Sequence, residues 1–204
     1  PQHFVERGLS EEVESIVVGA GVVGLSLARA LARTGKEVLV LESADEIGTG
    51  ISSRTSEVVH AGIYHPKGSL KADLCVRGRR LLYAFCREHK VPIRETGKLI
   101  VATKTSEVPK LHDLHARGAA NGVTGIEFLD PGDLRRKEPA LRGAGGLYLQ
   151  MSGIVDSHAL MVALRADAEK KKVTVALRSP FRSARAAGHA FLVTAGIGKD
   201  QIQV

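Results

Sequence analysis

The 204-residue chain is 44% hydrophobic and 25% charged, with a formal net charge of +7 and two cysteines. That balance is ordinary for a globular protein with a sizeable core, and the length suits one domain or one and a half. No apolar run approaches the ~18 residues of a membrane-spanning helix.

The positive charge is uneven, because residues 161–204 hold eight Lys and Arg against three acids. Lys170–Lys172 is expected to be a solvated helix end. Arg178–Arg185 falls in a stretch expected to be irregular, without the interleaved aromatics of a nucleic-acid surface, so no nucleic-acid partner is expected. The N-terminus, PQHFVERGLSEEVES, has no initiator Met and no signal-peptide hydrophobic region, as in a processed or cut end. Residues 1–12 are expected to be flexible.

The first predicted elements form one unit. Ser15–Gly19 reads as a strand, Val22–Thr34 as a helix that Gly35 stops, and Glu37–Leu41 as a second strand. Between strand and helix, Gly19, Gly21 and Gly24 spell G-x-G-x-x-G. The first glycine makes the turn, the second admits a pyrophosphate to the backbone, and the third lets helix pack on strand. The helix N-terminus offers amides and partial positive charge to phosphates. Glu42, closing the second strand, is placed to accept hydrogen bonds from ribose hydroxyls and to disfavour a 2′-phosphate, and hence NADP. A βα turn that binds nothing is the bland alternative, and the whole strand–turn–helix–strand–acid pattern speaks against it.

A Gly/Ser/Thr-rich loop follows, Gly48–Ser56, and then Arg54, His60-Ala61-Gly62 and Tyr64-His65 in close order. Such a loop supplies hydroxyls, amides and a guanidinium to a diphosphate that one helix dipole neutralises only in part. A mobile surface loop with incidental polar residues is the competing reading. Leu70–His89 is a predicted helix with an apolar stripe. Cys75 and Cys86 share one face of it but are ~16 Å apart along its axis, too far for a disulfide. Further on come a strand at Gly97–Thr103, a helix at Val108–Asn121 stopped by Gly122, and a strand at Ile126–Leu129. A charged helical turn at Leu134–Leu141 precedes a strand at Leu147–Leu149, a helix at His158–Lys170 and a strand at Val173–Leu177. No Cys/His cluster has zinc spacing, so no metal is expected.

These residues together resemble a known family. The fingerprint and acid, followed by Ser52-Ser53-Arg54, His60-Ala61-Gly62-Ile63-Tyr64, Gly68-Ser69-Leu70-Lys71 and Gly97-Lys98-Leu99-Ile100-Val101, are similar to the FAD-dependent L-2-hydroxyglutarate dehydrogenases. These belong to the superfamily of D-amino-acid oxidase and glycerol-3-phosphate dehydrogenase. The likeness runs from about Val13 to Leu177 and fades beyond, where Phe191–Gly196 resembles the family's returning strand but arrives early. Two positions depart from the family pattern: Thr55 stands where Asn is frequent, and Glu57 stands at a Gly position.

The resemblance implies an α/β fold, a Rossmann-like FAD-binding domain interleaved with part of an antiparallel-sheet substrate domain. The expected limits are 13–95 and about 150–204 for the FAD part and 96–149 for the substrate part. It implies FAD as cofactor, held by Gly19, Gly21, Gly24, Glu42, Ser53, Arg54 and His60. The implied reaction takes (S)-2-hydroxyglutarate to 2-oxoglutarate, with electrons passed to a quinone or similar acceptor, in mitochondria for eukaryotic members. His60 is the candidate proton acceptor; packing on the flavin or a covalent flavin link are its rival roles. Tyr64, His65 and Lys71 are candidates to meet a dicarboxylate, whereas His112, His115 and His158 are expected to be structural.

Family members run to about twice this length, their later half supplying most substrate contacts. An inactive FAD-binding fragment is therefore a second expectation. A relative acting on glycerol 3-phosphate or an amine is a third.

Overall fold

The computed structural model describes residues 12–198 and 201–204. The N-terminal segment expected to be flexible lies, up to residue 11, outside the described residues. The chain forms two compact units, one from its two ends (1–55 and 157–204) and one from its middle (56–156).

The first unit is built on a parallel sheet of β1 (Ser15–Val18), β2 (Val38–Leu41) and β9 (Val173–Ala176), in the order β1-β2-β9. The register pairs Ser15 with Val38 and Val38 with Val173. Buried Val38, Val40 and Leu41 give β2 the near-continuous apolar character of a central parallel strand. The crossover helix α1 (Val22–Ala32) buries Leu25, Ala28 and Ala32, one stripe at helical spacing. It packs on α5 (Ser157–Glu169), where Arg29 Nε lies 2.6 Å from Asp167 Oδ2. Gly35 follows α1 with φ +93, the left-handed stop its position implied.

A second sheet completes this unit, from β10 (Phe181–Ala187), β11 (Ala190–Ala195) and β12 (Ile202–Gln203), all antiparallel. The stretch expected to be irregular after Arg178 is thus a hairpin strand, turned at Gly188-His189. Phe181–Ala187 shows no apolar alternation because every one of its residues is exposed. Its partner β11 carries the burial: Val193 and Ala195 cluster with Leu41, against Ile16, Leu39 and Ala176. Lys170–Lys172 is an exposed turn, as the charge run suggested.

The middle unit holds two antiparallel sheets. One joins β3 (Val58–Val59), β8 (Gly153–Val155) and β4 (Ile93–Arg94) in the order β3-β8-β4. The other joins β5 (Leu99–Ala102), β7 (Gly145–Leu149) and β6 (Ile126–Leu129), with β7 central. Helix α2 (Leu70–Glu88) opens on Ser69, whose hydroxyl accepts from the Ala72 amide. Helix α3 (Val108–Ala120) packs Leu111 against Ala102 and Leu147. The charged turn begins three residues before the expected Leu134. Here α4 (Pro131–Lys137) is capped reciprocally by Asp130 and Asp133, with Pro131 in its first turn. Residues 56–95, expected with the FAD part, pack in the middle unit, since β3 and β4 both hydrogen-bond to β8.

Cys75 and Cys86 are free thiols, and burial pushes Cys86 up to about 11, so it stays protonated at neutral pH. His112 and His115 each lean on the Phe128 ring with centroids 4.7 Å apart, consistent with structural roles. No helix among the described residues is long and apolar enough to cross a membrane. No cluster of metal-ligating side chains occurs among them either.

Candidate functional site: a glycine turn closed by an acid

The end of β1 is tied to β2 by the Gly19 amide, which donates to the Leu41 carbonyl at 2.8 Å. The chain then turns with Gly19 at φ +96, in the region that favours glycine. A Cβ on Gly24 would collide with the Gly19 carbonyl, so helix and strand approach as closely as they do only because that position is bare. At Gly21 an added Cβ would lie 2.8 Å from the Ser52 hydroxyl.

Gly21 caps α1 without a side-chain bond, and the first turn carries no acid. That leaves a helix start with no acid in its own first turn to compete with a phosphate for its amides and dipole. Glu42 reaches back from β2 to this turn. Its Oε2 accepts from the Ala20 amide at 2.7 Å, and its Oε1 accepts from the Ala44 amide at 2.9 Å and the Ser43 hydroxyl at 3.1 Å. Burial pushes the carboxyl up, but the bonds from Ala44, Ala20 and Ser43 together outweigh it and hold Glu42 below the ordinary carboxylate range. The acid is therefore ionised at neutral pH and fixed beside the turn. The Gly48 amide, donating to the Ala20 carbonyl at 3.1 Å, ties the following loop to the same place.

That loop forms a 3-10 turn at Ile51–Arg54. Ser52 is the serine that reaches the fingerprint, its Oγ accepting from the Val22 amide at 3.1 Å. Ser53 instead donates back to the Gly50 carbonyl at 2.9 Å, and Arg54 is exposed at the end of the turn. Residue type could not separate adjacent serines; only the winding of the 3-10 turn does. Gly19, Gly21, Gly24, Glu42, Ser52, Ser53 and Arg54 all belong to the first unit.

His60, Tyr64 and Lys71 belong to the middle unit. His60 is exposed; burial, then the charges of Lys98 and His65, holds it below the ordinary imidazole range. Lys71 is exposed in the first turn of α2. Glu57, at the family's Gly position, has φ +58.

Comparison with known proteins agrees with this geometry. The family model described as "FAD dependent oxidoreductase" matches residues 14–204, so the likeness continues past Leu177 through the hairpin. The chain belongs to this family of FAD-dependent flavoproteins. Among curated proteins it is 52% identical over 154 residues to the mitochondrial L-2-hydroxyglutarate dehydrogenase of Arabidopsis thaliana, covering 76% of this chain and 32% of that protein. It is 35% identical over 181 residues to that of Homo sapiens, covering 82% of this chain and 39% of that one. The chain thus spans about a third of the length of the curated relatives it matches.

Solved structures share the fold at lower identity. L-alpha-glycerophosphate oxidase from Mycoplasma pneumoniae with FAD bound superposes with a TM-score of 0.86 at 24% identity, over 93% of this chain and 51% of that one. Glycine oxidase from Geobacillus kaustophilus gives 0.82 at 21% identity, over 94% and 53%. The family's cofactor is FAD, and the residues here fit its dinucleotide: a bare turn, a helix start opened by glycine and free of acids in its first turn, and an ionised acid beside it.

Proposed function

We propose that this chain forms the FAD-binding portion of an L-2-hydroxyglutarate dehydrogenase. The reaction takes (S)-2-hydroxyglutarate to 2-oxoglutarate and passes the electrons to a quinone or similar acceptor. The observation that carries this reading is the 52% identity to the Arabidopsis thaliana enzyme. The names of the relatives support a mitochondrial location in the same way.

In this reading the α1 start and the Ser52–Arg54 turn hold the pyrophosphate, and Glu42 holds the adenosine ribose. Bound there, FAD supplies the two-electron acceptor that no protein side chain provides. The alcohol carbon gives up its hydrogen with the bonding pair, and the hydroxyl gives up its proton. His60 is the group assigned to that proton, because the depressed imidazole is neutral at pH 7 and free to accept it. Tyr64 and Lys71 are candidates to meet the substrate.

FAD titration followed by tryptophan-free flavin fluorescence quenching, then anaerobic dye reduction, tests the assignment. Reduction with (S)-2-hydroxyglutarate but not with glycerol 3-phosphate or sarcosine is the expected result. Reduction with one of the other two would move the chain elsewhere in the superfamily. A flavin-loaded chain that reduces with none would assign it a binding role only.

A further inference from the structure

The segment His60–His65 is held rigidly by side chains of the middle unit. Asn121 Nδ2 donates to the carbonyls of Gly62 at 3.0 Å and His65 at 2.9 Å. Arg117 Nη1 donates to the Tyr64 carbonyl at 3.3 Å, and Cys75 Sγ lies 3.8 Å from that of His60. The carbonyls of the segment are therefore engaged by the neighbouring helices, which fixes its backbone from both sides. Lys98 is fixed as well: its amide donates to the Leu149 carbonyl at 3.1 Å, and its carbonyl accepts from the Leu149 amide at 2.9 Å.

From that anchor the Lys98 ammonium stands 4.9 Å from the centre of the Tyr64 ring. Tyr64 is 38% exposed, and the charges of Lys98 and His65 both bear on His60. The ion pairs of the middle unit lie elsewhere: Arg87–Glu95, His89–Glu88, Arg136–Asp133 and Lys137–Glu127. Among the described residues, no carboxylate pairs with Lys98, His60, His65 or Arg117. A preorganised ammonium without a counter-ion is offset by an incoming anion, and a held geometry lowers the cost of binding one.

We propose that Lys98, flanked by His65 and Tyr64, is the subsite that binds a carboxylate of the 2-hydroxy diacid. The subsite rests on the proposed dehydrogenase reading for its substrate class, but its geometry lies wholly in the middle unit. Lys98 meets the carboxylate as a point charge, His65 adds a hydrogen bond, and the Tyr64 ring forms the wall. Burial first, and then the same ammonium, holds His60 below the ordinary imidazole range, so the lysine that recognises the acid also bears on the state of the proton acceptor. The charged groups that bear on His60 are Lys98 and His65.

The test is a proton-NMR titration of the histidine Cε1–H signals in the full chain, with glutarate as probe and butyrate as control. Glutarate is expected to shift the His60 and His65 signals saturably, and more tightly than butyrate. Lys98→Met is expected to weaken glutarate by about tenfold, while Lys98→Arg retains it within a few-fold. Without ligand, Lys98→Met should raise the titration midpoint of His60 whereas the charge-preserving Lys98→Arg should leave it, a contrast that lost packing alone would not produce.

Absence of a saturable glutarate shift, or equal affinity in Lys98→Met and wild type, overturns the subsite. If Lys98→Met fails to fold, Lys98→Gln carries the same comparison. A chain that takes glutarate in this way but binds no FAD would overturn the dehydrogenase reading and leave the subsite standing. Binding of FAD with no glutarate response would do the reverse.

Discussion

Glu42 ties the end of β2 to the glycine turn through a single side chain. Its ionised form is the one bonded to Ala20, Ala44 and Ser43, so its folded-state affinity for a proton lies below the ordinary value of 4.5. The stabilisation it contributes is complete above that ordinary value and is lost as pH falls through the lowered folded one. Glu42→Gln should therefore flatten the acid limb of the stability curve below about pH 4.5, read by urea unfolding at a series of pH values. The same variant should bind FAD more weakly at neutral pH. An acid limb identical to wild type would show that the carboxylate is not coupled to the fold.

Glu57 makes a different point at the same scale. It holds φ +58, a conformation costing a non-glycine residue on the order of 1–3 kcal/mol. Glycine's added freedom in the unfolded chain offsets about 0.5–1 kcal/mol of that relief. Glu57→Gly is thus expected to raise the melting temperature by a few degrees. A lower melting temperature would mean that the contacts of the glutamate side chain outweigh the backbone strain.

At the scale of elements, the close approach of α1 to β1 depends on one missing methyl group. Gly24→Ala puts a Cβ against the Gly19 carbonyl, a backbone atom of the turn itself. Overpacking of this kind costs about 1–3 kcal/mol. The expected outcome is a lower melting temperature without FAD and a further loss of FAD affinity, because the turn must open for the helix to fit. Ser26→Ala changes only a hydroxyl bonded to the Val22 carbonyl of the same helix, and serves as the control. Equal behaviour of the two variants would show that the turn tolerates the displacement.

The elements differ in how well the chain announces them. α1, α2, α3 and α5 carry helical stripes or clear stops, and all four lie within a residue or two of where periodicity puts them. β3, β4 and β12 are two residues long, too short for any period to register. β10 is exposed along its whole length, so its sequence has no apolar alternation, and only pairing with β11 makes it a strand. Ser52 belongs with these: nothing local distinguishes it from Ser53, and the 3-10 turn alone points it at Val22.

At the scale of the molecule, two compact units alternate along the chain; of the residues proposed to hold the dinucleotide, Gly19, Gly21, Gly24, Glu42, Ser53 and Arg54 lie in the unit made from its two ends and His60 in the other. A ligand that binds only the folded state stabilises it by mass action, about 2.7 kcal/mol at a hundredfold excess over its dissociation constant. FAD is therefore expected to raise the melting temperature in a concentration-dependent way. Amide hydrogen exchange should slow at residues 19–25 and around Ser52. Protection confined to the middle unit would place the cofactor elsewhere.

What the sequence determined by itself was the glycine turn closed by an acid, the local geometry of the proposed dinucleotide site. Its parts sit within 27 consecutive residues, where strand, bare turn, helix and acid follow from local geometry and spacing. Tertiary structure decided the rest, because those contacts join residues far apart in the chain: Val22 with Ser52, Asn121 with Gly62, and Lys98 with Tyr64. Local pattern encodes which element forms, whereas the meeting of distant side chains depends on how sheets and helices pack, and no single segment carries that information.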